Sequence, residues 1–369
     1  MHIKDLTARN FRNYSELHIT FSPEINFIIG RNGVGKTNIL EAISIASNIK
    51  TFRNIHDSEI IKWKEDAYYC SVTMGGGYDS LFEVGCIHVP NSVKKKLKID
   101  GKEIKSASEY YGRLLTVILS PNDINIINGN PDTRRRFFDG AISKIDTSYF
   151  KILGDFKKIL ASRNSLLKHS RNSVHEKQQL DVWDIIFSEK ASHLMKRRRE
   201  FSENFTSIFQ KHYADIAEDD EVPFIRYKGS CESENSDDIF KQLVKNRERD
   251  HIIRSTIIGP QRDDYIIENK DSVRFVNYAS QGQRRTAAVT LKVSECVMIE
   301  EHTNKRAVIL VDDIFSELDE KRRLKIIDIL RRGNQIIFTM VHYEPEKLFR
   351  FGNYKGLVVN GNGAVTEIS

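Results

Sequence analysis

Gly30-Arg31-Asn32-Gly33-Val34-Gly35-Lys36-Thr37 reads GxxxxGK[ST] and constrains the fold more than any other stretch of the chain. The apolar run Ile25 to Ile29 leads into it as a buried strand, and the spacing of Ile39, Leu40, Ile43 and Ala46 leads out of it as a helix. Strand, glycine-rich loop and helix, in that order, form the context this pattern needs to bind phosphate. The glycines let successive backbone N–H groups converge on one concavity, and the helix N-terminus adds the positive end of its dipole. Lys36 is then placed to reach β- and γ-phosphates, and the Thr37 hydroxyl to ligate Mg²⁺.

A second stretch matches the first. Ala307-Val308-Ile309-Leu310-Val311-Asp312-Asp313 is a short apolar run ending in two carboxylates. It suits a buried parallel strand whose C-terminal edge faces a ligand. There Asp312 would hold Mg²⁺ through water, and Asp313 would orient or deprotonate an attacking water. Ser280-Gln281-Gly282-Gln283-Arg284-Arg285 directly precedes a helical pattern (Ala287, Ala288, Val289, Leu291, Val293), a second helix start suited to an anion. Ser316-Glu317-Leu318-Asp319 runs into a further helix (Leu324, Ile327, Leu330). A strand over Gln335 to Phe338 then leads to His342, where a γ-phosphate sensor would be useful, although a lone histidine is more often structural.

The remaining chain divides by character. Ile3 to Phe11 and the alternating Leu17, Ile19 and Phe21 predict a hairpin before the loop. Between them Asn10-Phe11-Arg12-Asn13-Tyr14 either turns Arg12 and Tyr14 toward a nucleotide or makes a plain surface turn. Tyr68 to Met74, Leu81 to Val89, Lys96 to Ile104 (broken by the Asp100-Gly101 turn) and Leu114 to Leu119 read as strands. Lys94-Lys95-Lys96 fits a solvated strand edge. From about Thr147 to Phe209 the spacing is helical and the charge dense, which predicts an elongated helical lobe. Two basic runs, Arg134-Arg135-Arg136 and Lys196-Arg197-Arg198-Arg199, are either solvated helix faces or contacts to DNA phosphates. The net charge of +6 leans mildly toward an anionic partner. Four scattered cysteines without a CxxC, an N-terminus without an apolar signal segment and no long apolar span point to a cytoplasmic protein with no membrane partner.

The order of these pieces resembles the ABC-type ATPase heads of the SMC/Rad50/RecF group, and most closely the RecF family. The likeness is carried by Asn10 to Tyr14, by Gly30 to Thr37 with Asn38, and by Gly129-Asn130-Pro131 running into Arg134-Arg135-Arg136-Phe137-Phe138-Asp139. It continues in Gly259-Pro260-Gln261-Arg262-Asp263-Asp264, in Ser280 to Gln283, and in Asp312-Asp313 with Ser316 to Asp319. The chain departs from the family pattern at Asn122, where an acidic residue is usual, and at Gln261, where a histidine is usual.

The resemblance implies an α/β fold: an ABC-type head with a mixed β-sheet lobe and a second, mainly helical lobe, without a long coiled coil. Residues 1–120 and 300–369 would form the ATP-binding lobe, and residues 121–299 the helical lobe carrying the signature loop 280–285. ATP and Mg²⁺ would be held by Gly30 to Asn38 with Arg12, by Thr37 and Asp312 at the metal, and by Ser280, Gln281, Gly282 and Gln283 of a second subunit in a head-to-tail homodimer. Lys36, Asp312 and Asp313 would carry a slow ATPase used as a switch. The implied function is a nucleoid-associated recombination mediator that binds double-stranded or gapped DNA with ATP. It would act with RecR and RecO to help RecA load during replication-coupled repair and the SOS response. The alternatives are an ABC-type ATPase coupled to a nuclease, for which Asp263-Asp264 is the spare acidic pair, and the energising subunit of a transporter.

Overall fold

In a computed structural model the described residues are 1–53, 55–90, 92–169, 174–217, 221–314, 319–341, 353–361 and 363–368. Ser316, Glu317, Leu318 and His342 lie outside them. The chain runs β1 (His2–Phe11), β2 (Tyr14–Thr20), β3 (Ile25–Ile29), α1 (Lys36–Asn48), β4 (Ala67–Gly75), β5 (Ser80–Val89), β6 (Ser92–Ile99), β7 (Lys102–Ile104), α2 (Ala107–Tyr110) and β8 (Thr116–Leu119). There follow α3 (Ile124–Asn128), α4 (Pro131–Ile145), α5 (Thr147–His169), α6 (Val174–Ala217), β9 (Phe224–Lys228), α7 (Ser236–Ile253), β10 (Asp264–Glu268) and α8 (Phe275–Tyr278). The chain closes with α9 (Gln281–Thr303), β11 (Val308–Asp312), α10 (Glu320–Leu330), β12 (Ile336–Met340), β13 (Tyr354–Val359) and β14 (Val365–Ile368).

Two compact units result. The first comprises Met1–Asp123, Asp215–Ala217 and Val289–Ser369, and the second Ile124–Ala214 and Glu218–Ala288. The division falls inside α9, so the helix that follows the Ser280 loop does not belong wholly to the helical unit.

The first unit holds two six-stranded sheets, ordered β2-β1-β4-β5-β6-β7 and β14-β13-β3-β12-β11-β8. In the second of these, β3 pairs in parallel with both β12 and β13, and β11 pairs in parallel with both β12 and β8. Strands with neighbours on both sides are mostly apolar, and every residue of β3 is buried, the one polar residue, Asn26, being satisfied by the Ser22 N–H and carbonyl. The β6–β7 turn, Asp100-Gly101, has φ of 51° and 76°, the pair of positive values a two-residue hairpin requires.

The second unit is mainly helical. α4 opens on Asn130, whose side chain accepts from the Thr133 N–H, with Pro131 in its first turn. Its missing N–H and preset φ make proline a natural first helical residue. Phe138 stacks on Tyr265 with ring centroids 3.9 Å apart and packs edge-on against Phe201 and Phe205, which anchors α4 and α6 over β10.

Candidate nucleotide site

The C-terminal end of β3 delivers the chain into the glycine-rich loop. Gly33 and Gly35 stand at φ 82° and 112°, values that L side chains adopt only under strain. A Cβ on Gly30 would lie 2.7 Å from the Val359 carbonyl oxygen, and one on Gly35 would lie 2.7 Å from the Tyr14 hydroxyl. The loop is therefore glycine-built both for its backbone angles and for close packing. α1 starts immediately after it, with Gly35 as N-cap, no side chain on its first N–H groups and no acidic residue in its first turn. Such an end is open to an anion.

Lys36 is largely buried and folds back over the loop, its ammonium donating to the carbonyl oxygens of Gly30 at 2.7 Å and Arg31 at 3.0 Å. Burial lowers its pKa below the usual lysine value, while Asp313 and Asp312 pull it back up. Lys36 thus places its positive charge over the concavity. Thr37 Oγ1 donates to Asp312 Oδ1 at 2.8 Å, joining residues 275 positions apart. Thr339 Oγ1, from the register partner of Asp312 on β12, donates to the same oxygen at 2.9 Å. Asp313 follows in the left-handed region at φ 49°. A non-glycine residue there is strained, and such strain gathers where side-chain placement matters to function.

These residues fit a nucleotide with a hard cation. The loop offers backbone donors, a buried ammonium and a helix end, and Thr37 with Asp312 offers the hydroxyl and carboxylate oxygens that Mg²⁺ prefers. In the second unit, Ser280 and Gln283 form a reciprocal cap on α9. The Gln283 N–H donates to Ser280 Oγ at 3.2 Å, and the Ser280 N–H to Gln283 Oε1 at 2.8 Å. The first turn of α9 also lacks an acid, so no carboxylate opposes an anion at this capped helix end.

Several expectations need correction. Arg12 does not turn toward the loop: Nε and both terminal nitrogens bond Glu41 and the Glu59 carbonyl. Tyr14 is 2% exposed and belongs to the core, where burial pushes its phenol up to about 12. The basic runs split by burial. Arg134 is buried in a forked pair with Asp264, at 2.7 and 3.0 Å. Arg198 is 2% exposed and clamps Asp139 at 2.9 and 3.0 Å and Asp263 at 2.9 Å. Neither can reach a DNA phosphate. Arg135 is half-buried and donates to the Asp263 carbonyl. Lys196, Arg136, Arg197 and Arg199 remain at the surface, with Arg136 bridged to Asp132, Arg197 to Asp146 and Glu200, and Arg199 to Glu234. The same pairs use up Asp263 and Asp264, the carboxylates a nuclease would need, and no cluster of three metal-ligating side chains occurs among the described residues. Gln261 is taken up in its own turn, its Nε2 donating to the Ile258 carbonyl at 2.7 Å.

Residues 2–350 match the RecF/RecN/SMC N-terminal domain family. The chain is 34% identical over 345 residues to the DNA replication and repair protein RecF of Leptospira interrogans, covering 93% of each. The chain belongs to the RecF family. The RecF of Agathobacter rectalis is 36% identical over 358 residues, 95% of this chain and 97% of that one. Among solved structures, the recombination mediator protein RecF-ATPrS in the RecFOR pathway has a TM-score of 0.89 at 31% identity, covering 100% of this chain and 98% of that one. Its RecF-ATP counterpart gives 0.88 at 32%, covering 100% and 99%. An Smc head bound to the C-winged helix domain of ScpA, at 16% identity and a TM-score of 0.55, shares the fold alone. This RecF-family chain is thus an α/β ABC-type head of a DNA replication and repair protein, with an ATP-binding fold. No described helix is long and apolar enough to cross a membrane.

Proposed function

We propose that this chain is an ATP-switched, DNA-binding recombination mediator that acts with RecO and RecR to promote RecA loading at gapped DNA. The observation that carries the reading is the joining of Thr37 to Asp312 at 2.8 Å beneath a glycine loop capped by Lys36. Two relatives bearing the same fold are named for ATP or ATPrS and for the RecFOR pathway, which supports ATP as the nucleotide.

Lys36 and the backbone N–H groups of Gly33 to Thr37 hold the phosphates. Thr37 and Asp312 would hold Mg²⁺, which when bound neutralises phosphate charge and polarises the terminal group. Asp313 orients the attacking water and accepts its proton. The Ser280–Gln283 cap of a second copy supplies a helix N-terminus to the γ-phosphate, so that ATP joins two heads and its hydrolysis releases them. A contact made only with the γ-phosphate is a differential interaction of the kind a switch requires.

Sedimentation velocity at micromolar protein tests this step. With Mg²⁺ and ATP the chain is expected to sediment as a dimer, and with ADP or no nucleotide as a monomer. The same species in all three conditions would remove the nucleotide from the interface.

A further inference from the structure

We propose that Glu41 is a positioning residue of the glycine loop, acting through a chain of side chains and not by touching a ligand. The proposal rests on the nucleotide-binding reading above. Glu41 lies within α1 and is 0% exposed. A buried carboxylate persists only when paired and hydrogen-bonded, and this one collects three side chains from two segments. Arg12, in the β1–β2 turn, grips its two oxygens at 2.8 and 2.9 Å. Thr51 and Arg53, in the stretch after α1, approach at 2.5 Å and 3.6 Å.

From this centre a line runs to the loop, joined to Glu41 by the Arg53 ion pair and by the Arg53 N–H donating to Thr51 Oγ1 at 3.0 Å, and hydrogen-bonded from there on. Arg53 donates to Asn38 Oδ1 at 3.2 Å, Asn38 Nδ2 to Asn13 Oδ1 at 2.8 Å, and Asn13 Nδ2 to the Val34 carbonyl oxygen at 3.1 Å. The other arm, Glu41 to Arg12, fixes the turn that carries Asn13. Arg12 itself sits at φ 56°, a strained setting that persists where several contacts over-determine it.

The end point of the line gives it a function. Val34 lies between Gly33 and Gly35, the two left-handed glycines of the loop. A trans peptide is planar, so holding the Val34 oxygen on one side aims the Gly35 N–H to the other. The line from Glu41 therefore sets the direction of a phosphate donor before ligand arrives, which reduces the ordering that binding must otherwise supply. It does not touch Asp312 or Asp313, so it acts on binding and leaves the hydrolytic step alone.

The test measures mant-ATP affinity with Mg²⁺, and steady-state ATPase at saturation, for wild type, Glu41→Gln, Asn13→Ala and the double variant. Each single variant is expected to weaken mant-ATP roughly tenfold, the worth of about one hydrogen bond to a fixed loop. kcat should stay within about threefold of wild type, because the line misses the hydrolytic carboxylates. The double variant should be no weaker than the worse single, since both break one line. Wild-type affinity in a folded Glu41→Gln, or losses that add in the double variant, would overturn the proposal. Should Glu41→Gln not fold, Asn13→Ala decides alone, because its side chain is exposed and its unchanged affinity would equally overturn it. If wild type itself fails to bind mant-ATP, the nucleotide reading falls, and the proposal with it.

Discussion

Asp312→Asn is expected to reduce steady-state ATP hydrolysis at least ~100-fold while leaving the melting temperature close to wild type. Asp312 Oδ1 accepts from Thr37 at 2.8 Å and from Thr339 at 2.9 Å. The amide oxygen of asparagine can keep both bonds, so β11 and β12 stay in register. What disappears is the negative charge that, together with the Thr37 hydroxyl, makes the pair suitable for Mg²⁺. The loss should therefore lie in the metal-dependent step, and raising the Mg²⁺ concentration should recover part of it. A phosphate-release assay across a Mg²⁺ titration reads both effects. Turnover within about threefold of wild type at limiting Mg²⁺ would show that Asp312 only bridges two threonines.

The second large effect concerns stability. Arg198 binds Asp139, Asp263, the Tyr149 hydroxyl at 3.1 Å and the Pro260 carbonyl at 2.6 Å, all away from water. Methionine fills similar volume but strands the two carboxylates. Leaving a buried charge without its partner costs about 3–5 kcal/mol. In a unit of this size that corresponds to a melting temperature lower by roughly 10 °C. Lys196, two residues earlier and exposed, gives the contrast: Lys196→Met should change stability by less than about 0.5 kcal/mol. Thermal unfolding followed by circular dichroism compares them directly. Equal melting temperatures for Arg198→Met and wild type would contradict the structural role assigned to Arg198.

The arginine runs also mark where sequence reading reaches its limit. Consecutive residues on a helix point about 100° apart, so a run of three or four cations cannot share one face. Arg134 and Arg198 point inward because partners far along the chain await them: Asp264 lies 130 positions from Arg134, and Asp263 lies 65 from Arg198. No local pattern announces such pairs. Glu41 was silent for the same reason, as an ordinary helix acid whose partners come from the β1–β2 turn and the segment after α1. For Arg12 the residues leave a nucleotide contact and a plain turn open and the resemblance places it at the nucleotide, where the structure has its guanidinium bond Glu41 and the Glu59 carbonyl. In contrast, the glycine loop and the Asp312 strand were legible because the chemistry and the local fold are written in the same few residues. Gly33 and Gly35 require their angles, and β11 requires its apolar run. The hairpins at Arg12-Asn13 and Asp100-Gly101 were equally local. The division within α9 falls between Ala288 and Val289 and leaves no mark on its helical spacing.

The central claim is that ATP gates DNA binding. Fluorescence anisotropy of a labelled gapped duplex, titrated with protein at one fixed salt concentration with ATP, with ADP and without nucleotide, tests it most directly. Markedly tighter binding with ATP than in the other two states is the expected result. Equal affinity in all three would contradict it, since the Lys36 and Asp312 site would then control something other than contact with DNA.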